Sequence, residues 1–192
     1  MPLTLVAGLG NPGRRYAATR HNLGWRVVEA LARKQGLSWK KDASFEAELA
    51  RWDAPAGTRW LAKPLTFMND SGRSVGALAR YLELTVESVV AVHDDIGLEL
   101  GRVKVSSTGG DGGHNGVASL LLHVGEGFVR YRLGVGPKEP PEMDLKDFVL
   151  SKFSPEQVAI IDQNLDRFVQ GLELLLDRGA DQAMNELNRR NT

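Results

Sequence analysis

Short apolar runs alternate along this chain with stretches in which apolar residues recur every three or four positions, and glycine, proline or asparagine marks many of the switches. No other feature of the sequence restricts the fold as strongly. Residues 3–7 read as a buried strand, broken by Gly8, Gly10, Pro12 and Gly13. From Asn22, the residues Leu23, Val27, Val28 and Leu31 keep helical spacing, and Gly36 is a natural stop. Residues 45–52 alternate Phe45, Ala47 and Leu49 with polar side chains, the pattern of a half-buried strand, and 60–62 read as another. Ser71 stands where it can cap a helix carrying Val75, Leu78, Ala79 and Leu82. A Val-rich strand at 88–93, a strand at 102–106, a helix at 117–124 and a strand at 129–135 follow. Residues 143–153 read as a linker or lid. Ser154-Pro155-Glu156-Gln157 then combines an N-cap, a first-turn proline and a capping-box glutamine. Val158, Ile161, Leu165, Phe168, Leu172 and Leu175 form the stripe of the helix it opens; Gly179 ends that helix, and a short one with Ala183, Met184 and Leu187 follows. Strands alternating with helices predict an α/β fold: one domain over residues 1–192, with a twisted, mixed but mainly parallel central sheet and helices on both faces.

A chain of 192 residues suits one domain and can bury a real core. With no cysteine it can hold no disulfide framework, thiolate zinc site or cysteine nucleophile. No signal segment and no membrane-length apolar run is seen, so a cytoplasmic protein is expected. The net charge of zero hides an asymmetry. Residues 1–41 hold eight basic side chains and one acid, a net +7, which suggests a local surface facing a polyanion.

In open α/β sheets, ligands bind at the carboxyl ends of the strands. Asn11, Met68 with Asn69, Asp94, and His114 with Asn115 all follow expected strands, so four distant segments are expected to meet at one rim. Gly8-Leu9-Gly10-Asn11-Pro12-Gly13 spells a dinucleotide-binding string. However, Pro12 and Arg14-Arg15-Tyr16 delay the following helix, and the acid expected about 20 residues on is missing. His21 stands at a helix start as a candidate base, and Asp94 is its best orienting acid. Five glycines in residues 109–116 suggest backbone N–H groups available to an anion or oxyanion. Phe67 and Met68 beside Asn69 suggest an apolar stacking platform of the kind single-stranded RNA ends use. Arg130 and Arg132 share a sheet face, with Lys104 near them, as candidate phosphate contacts. The histidines and aspartates lack the local spacing of a metal site, and no serine elbow or Walker lysine motif occurs, so any hydrolysis must use water as nucleophile.

Taken together these motifs resemble the bacterial peptidyl-tRNA hydrolase family. The matching pieces are the 8–13 loop, Tyr16 through Asn22 (YAATRHN), Lys63-Pro64 through Phe67-Met68-Asn69-Asp70-Ser71-Gly72, His93-Asp94-Asp95, Gly112 through Gly116, Arg132 through Gly136, and Phe153 through Glu156, in family order. The resemblance implies a monomer needing no metal or cofactor that cleaves the ester between a peptide and the 3′ ribose of tRNA. It implies His21 as general base, Asp94 as its orienting acid, and Asn11 as the contact to the blocked amino end. Tyr16, Phe67, Asn69 and Asn115 would bind the tRNA 3′ end and peptide backbone, with Met68 and His114 lining the pocket. Two departures concern the basic surface for the acceptor end: Ser106 stands where the family usually has a basic residue, and Pro137 directly follows Gly136. Lys104, Arg132 and Lys138 are the expected substitutes.

Overall fold

The computed structural model describes residues 2–189. Its seven strands are β1 (Leu5–Gly8), β2 (Lys40–Asp42), β3 (Ala47–Ala54), β4 (Gly57–Pro64), β5 (Val89–Glu99), β6 (Val103–Ser106) and β7 (Val129–Gly136). They form one sheet in the order β2-β3-β4-β1-β5-β7-β6. The central pairs β4/β1, β1/β5 and β5/β7 are parallel, and the outer pairs are antiparallel. The expected mixed sheet with a parallel centre is thus present.

The alternation along β1 and β5 sorts the core into two layers. Val6, Val90 and Val92 face α1 (Leu23–Lys34) and α5 (Pro155–Arg178), against Val27, Val28, Leu31, Ile161, Phe168 and Leu172. Leu5, Ala7, Val89 and Ala91 face α2 (Ser71–Tyr81) and α3 (Asn115–His123), against Val75, Leu78 and Leu120. The capping box at Ser154 forms as expected, and α5 runs to Gly179 before α6 (Ala180–Leu187). Residues 143–153 contain a short helix, α4 (Leu145–Val149), capped by Asp144. Among the described residues no helix is long and apolar enough to cross a membrane.

Two expectations need correction. Ser71 does not cap α2; it is the helix's first residue, and its hydroxyl donates back to the Met68 carbonyl at 2.8 Å. Asp94 does not end its strand. β1 pairs with β5 only as far as Val92, but β7 continues beside it, with Asp94 opposite Leu133 and Asp95 opposite Gly134. β5 therefore projects past the β1 rim and carries Asp94 on rigid backbone. Gly24 completes the arrangement: a Cβ there would lie 2.2 Å from the Val92 carbonyl oxygen, so only glycine lets the first turn of α1 lie against β5. That contact brings the residues just before α1 next to Asp94.

Candidate active site

The loop after β1 does not enter a helix. Gly13, at φ 104°, leads into a 3-10 turn at Arg14–Tyr16, and a second turn at Arg20–Asn22 precedes α1. The glycine string therefore has no helix N-terminus to receive a pyrophosphate. Asn22 fixes the loop instead: its Oδ1 accepts from the Asn11 N–H and its Nδ2 donates to the Asn11 carbonyl, both at 2.9 Å. Asn11 Oδ1 accepts from the Met68 N–H at 2.7 Å. With its oxygen engaged, the Asn11 amide keeps its Nδ2 donors for the cleft it lines.

His21 lies in the turn ahead of α1 and is buried. Its Nδ1 is 3.0 and 3.1 Å from the two Asp94 carboxylate oxygens. His114 reaches the same carboxylate, with Nε2 2.9 Å from Asp94 Oδ1. The His114 ring also caps α3, its Nδ1 accepting from the N–H groups of Gly116 and Val117 at 3.1 and 3.3 Å. An acceptor nitrogen carries no proton, so the proton of neutral His114 is on Nε2, where it is donated to Asp94. A carboxylate only accepts, so His21 donates through Nδ1–H and its Nε2 lone pair stays available. Asp94 is 2% exposed. Burial alone would raise its pKa, but the facing imidazoles of His21 and His114 and their hydrogen bonds outweigh that and hold the carboxyl well below the usual carboxylate range. His93 also lines the cleft, its ring centroid 4.9 Å from that of His114 and its Nδ1 donating to the Asp94 carbonyl at 2.8 Å. Burial pushes its pKa down to about 3, with His114 adding to the shift.

These groups sit in an open cleft of about 920 Å³. Asn11, Tyr16, His21, Phe67, Met68, Asn69, Asp94, His114, Asn115 and Arg132 all line it, so the four expected segments do meet. The rings of Tyr16 and Phe67 meet edge to face, with centroids 6.5 Å apart. Lys104 is not part of the lining; it lies opposite Arg132 across the β6/β7 ladder. One ligand atom from each of His21, Asp94 and His114 falls within 4.8 Å of the others, the donor types of a divalent-cation site. The hydrogen bonds oppose that use. To ligate through Nε2, His114 would have to move its proton to Nδ1, where two backbone N–H groups already point.

Two expectations about charge and backbone donors do not hold. The glycine loop is less open to anions than expected, because Asp111 accepts from the N–H groups of Gly113 and His114. Arg130 is not a free phosphate contact: it is buried, and its guanidinium donates to the Gly109 and Gly110 carbonyls.

Comparison with known proteins agrees with this geometry. The family model described as Peptidyl-tRNA hydrolase matches residues 5–192. The chain is 45% identical over 189 residues to a peptidyl-tRNA hydrolase from Anaeromyxobacter dehalogenans, covering 98% of this chain and 97% of that one. A relative of the same name from Gloeobacter violaceus is 41% identical over 191 residues, covering 99% and 96%. The chain belongs to the peptidyl-tRNA hydrolase family. The crystal structure of peptidyl-tRNA hydrolase from Acinetobacter baumannii superposes with a TM-score of 0.89 at 34% identity, covering 97% and 94% of the two chains.

Within this peptidyl-tRNA hydrolase fold, the roles of some residues in and behind the cleft wall were not read from the sequence. Asn22 looked like a helix start, yet it anchors Asn11. Asp95, which accepts from Arg132 Nε at 2.7 Å, and Leu145, Val149 and Leu150 around α4 also line the cleft. The α4 wall lies in the segment read as a linker or lid, and its short helix is opened by Asp144.

Proposed function

We propose that the chain hydrolyses the ester joining a peptide, or an N-blocked amino acid, to the 3′ ribose of tRNA, releasing free tRNA and peptide during translation. The observation that carries this reading is a buried imidazole whose Nδ1–H is fixed by Asp94, while its Nε2 remains free in a cleft edged by three asparagines. His21 Nε2 takes a proton from water as the water oxygen attacks the ester carbonyl. Asp94 stabilises the imidazolium so formed. The tetrahedral intermediate then expels the ribose 3′-oxygen, which recovers the proton from His21. The amides of Asn11, Asn69 and Asn115 are the natural donors toward the developing oxyanion and the peptide bond, since each amide both donates and accepts.

Asn11 selects a blocked amine, because a neutral amide-lined site solvates a free ammonium poorly. Tyr16 and Phe67 take the stacked 3′ end, Met68 and His114 wall the pocket, and Lys104 and Arg132 face the acceptor end. The partner is peptidyl-tRNA. The chemistry needs no metal or cofactor, and we assign it to a single-domain monomer working in the cytoplasm. His21→Ala is expected to abolish turnover of N-acetyl-aminoacyl-tRNA with an unchanged circular dichroism spectrum. A variant that retains near-native rate overturns the general-base assignment.

A further inference from the structure

Much of the basic charge that the sequence offers to a nucleic acid is engaged within the fold. Arg132 pairs with Asp95, and Lys138 donates to the Pro141 and Met143 carbonyls. On α1, Arg26 pairs with Asp162 and Lys34 with Glu173 of α5. Arg14 and Arg15 differ: both are exposed, and among the described residues neither enters an ion pair. They directly precede Tyr16, at the edge of the cleft.

Arg15 also rests against a ring. Its guanidinium carbon lies 4.5 Å from the centroid of the Tyr16 ring, and the group donates to the Tyr16 hydroxyl. Tyr16 in turn meets Phe67, which is 57% exposed. A cation and two rings thus follow one another along the edge of a cleft that also holds His21. Single-stranded nucleic acids are bound by this combination, with rings taking bases and neighbouring cations taking the backbone. A guanidinium resting on a ring is already oriented, so little side-chain entropy remains to be lost when its free N–H groups meet a phosphate oxygen.

We propose that Arg15 is a phosphate-contacting residue for the single-stranded 3′ end of the RNA substrate, held in place by stacking on Tyr16. This deepens the proposed function and rests on its identification of the substrate as RNA. The test does not use the ester. A 5′-fluorescein single-stranded RNA ending in CCA is titrated with native protein, Arg15→Gln, Arg15→Lys and Arg33→Gln, and anisotropy is read at several salt concentrations. Arg33 is exposed in the last turn of α1, about 15 Å along the helix from its start, so its variant reports the same change of charge away from the cleft. Arg15→Gln is expected to weaken binding roughly fivefold and to reduce the slope of log Kd against log salt by about 0.7, the signature of one lost phosphate contact on a single strand. Arg15→Lys should keep the slope with weaker binding, and Arg33→Gln should match the native protein. Equal Kd and slope in native protein and Arg15→Gln, an equal loss in Arg33→Gln, or no measurable binding by native protein overturns the proposal. Loss of binding in Arg15→Gln together with full turnover by His21→Ala would remove the general base and leave Arg15 standing.

Discussion

At the scale of single residues, the site is an exercise in fixing tautomers. Asp94 accepts from two imidazoles, and each ring is committed because its partners accept or donate but cannot do both. Asp94→Asn keeps the size of the side chain but turns half of it into a donor that faces another donor. It is expected to lower kcat by about 10²–10⁴-fold, as loss of general-base assistance does, and single-turnover kinetics would measure it. An Asn variant within a few-fold of native would show that the carboxylate does not support His21. The role of His114 as cap of α3 was not legible in the sequence, because its acceptors and donors meet only after the loop closes. His93 gives a separate pH signature. It stays neutral in the fold down to about pH 3, whereas an unfolded histidine protonates near 6.5. Between those values the unfolded chain binds more protons, so stability falls as pH drops from about 6.5, by up to about 1.4 kcal/mol per pH unit, and above that range His93 contributes no slope. The depressed Asp94 carboxyl acts in the same direction, but only as pH falls below its ordinary value of 3.8. Urea midpoints at pH 7 and pH 5 should therefore separate more in native protein than in His93→Gln. Equal separation would assign the slope to other groups.

At the scale of elements, the long helices and every strand but β2 were legible from their apolar spacing, whereas β2 is the polar Lys40–Asp42 and carries no such signal. The misreadings fall where tertiary pairing outweighs local pattern. His93-Asp94-Asp95 reads as the end of a strand, yet β7 supplies hydrogen-bond partners that carry β5 on to Glu99. Ser71 has the chemistry of a cap, yet the preceding 3-10 turn at Met68–Asp70 places it inside the helix. Glycine at 72 has a reason that no local rule contains. A Cβ there would lie 2.0 Å from the Ser119 carbonyl oxygen, and the Gly72 N–H donates to Ser119 Oγ at 2.9 Å, so α2 and α3 touch backbone to backbone. Asn69 lies just before α2 and Asn115 begins α3, so this contact sets the distance between two cleft amides. Gly72→Ala should force the helices apart, cost about 1–3 kcal/mol in urea unfolding, and raise KM in the same variant. Native stability together with native KM would show that the contact does not set the site.

At the scale of the molecule, the sheet separates the α2/α3 layer, which carries Asn69 and Asn115, from a layer that is mostly support. The supporting layer reaches the site through Arg20, the residue before His21. Its guanidinium donates to Ser151 Oγ at 2.5 Å, the Lys152 carbonyl at 2.9 Å and Gln157 Oε1 at 2.8 Å, and it rests against the Phe148 ring at 4.4 Å. Gln157 is the capping-box residue of α5, so the start of that helix is tied to the histidine turn, whereas its middle is tied to the sheet. Phe168 marks the middle: it is fully buried, and its carbonyl accepts from the Tyr131 hydroxyl at 2.7 Å. Eleven residues separate it from Gln157, about 16 Å of helix rise. Loss of packing at Phe168 and loss of the tie at Gln157 should therefore have opposite signatures. Phe168→Ala opens a cavity under the sheet and should cost about 3–5 kcal/mol of stability, while kcat per folded molecule stays native at a temperature where the variant is folded. Gln157→Ala removes a capping partner and an acceptor for Arg20; it should cost about 1 kcal/mol of stability, yet lower kcat/KM because the histidine turn loses its brace. Denaturant unfolding and active-site-normalised turnover on the two variants decide between the readings. If the two variants lose turnover in proportion to stability, the α5 layer acts as one support and the Arg20 connection carries no separate role.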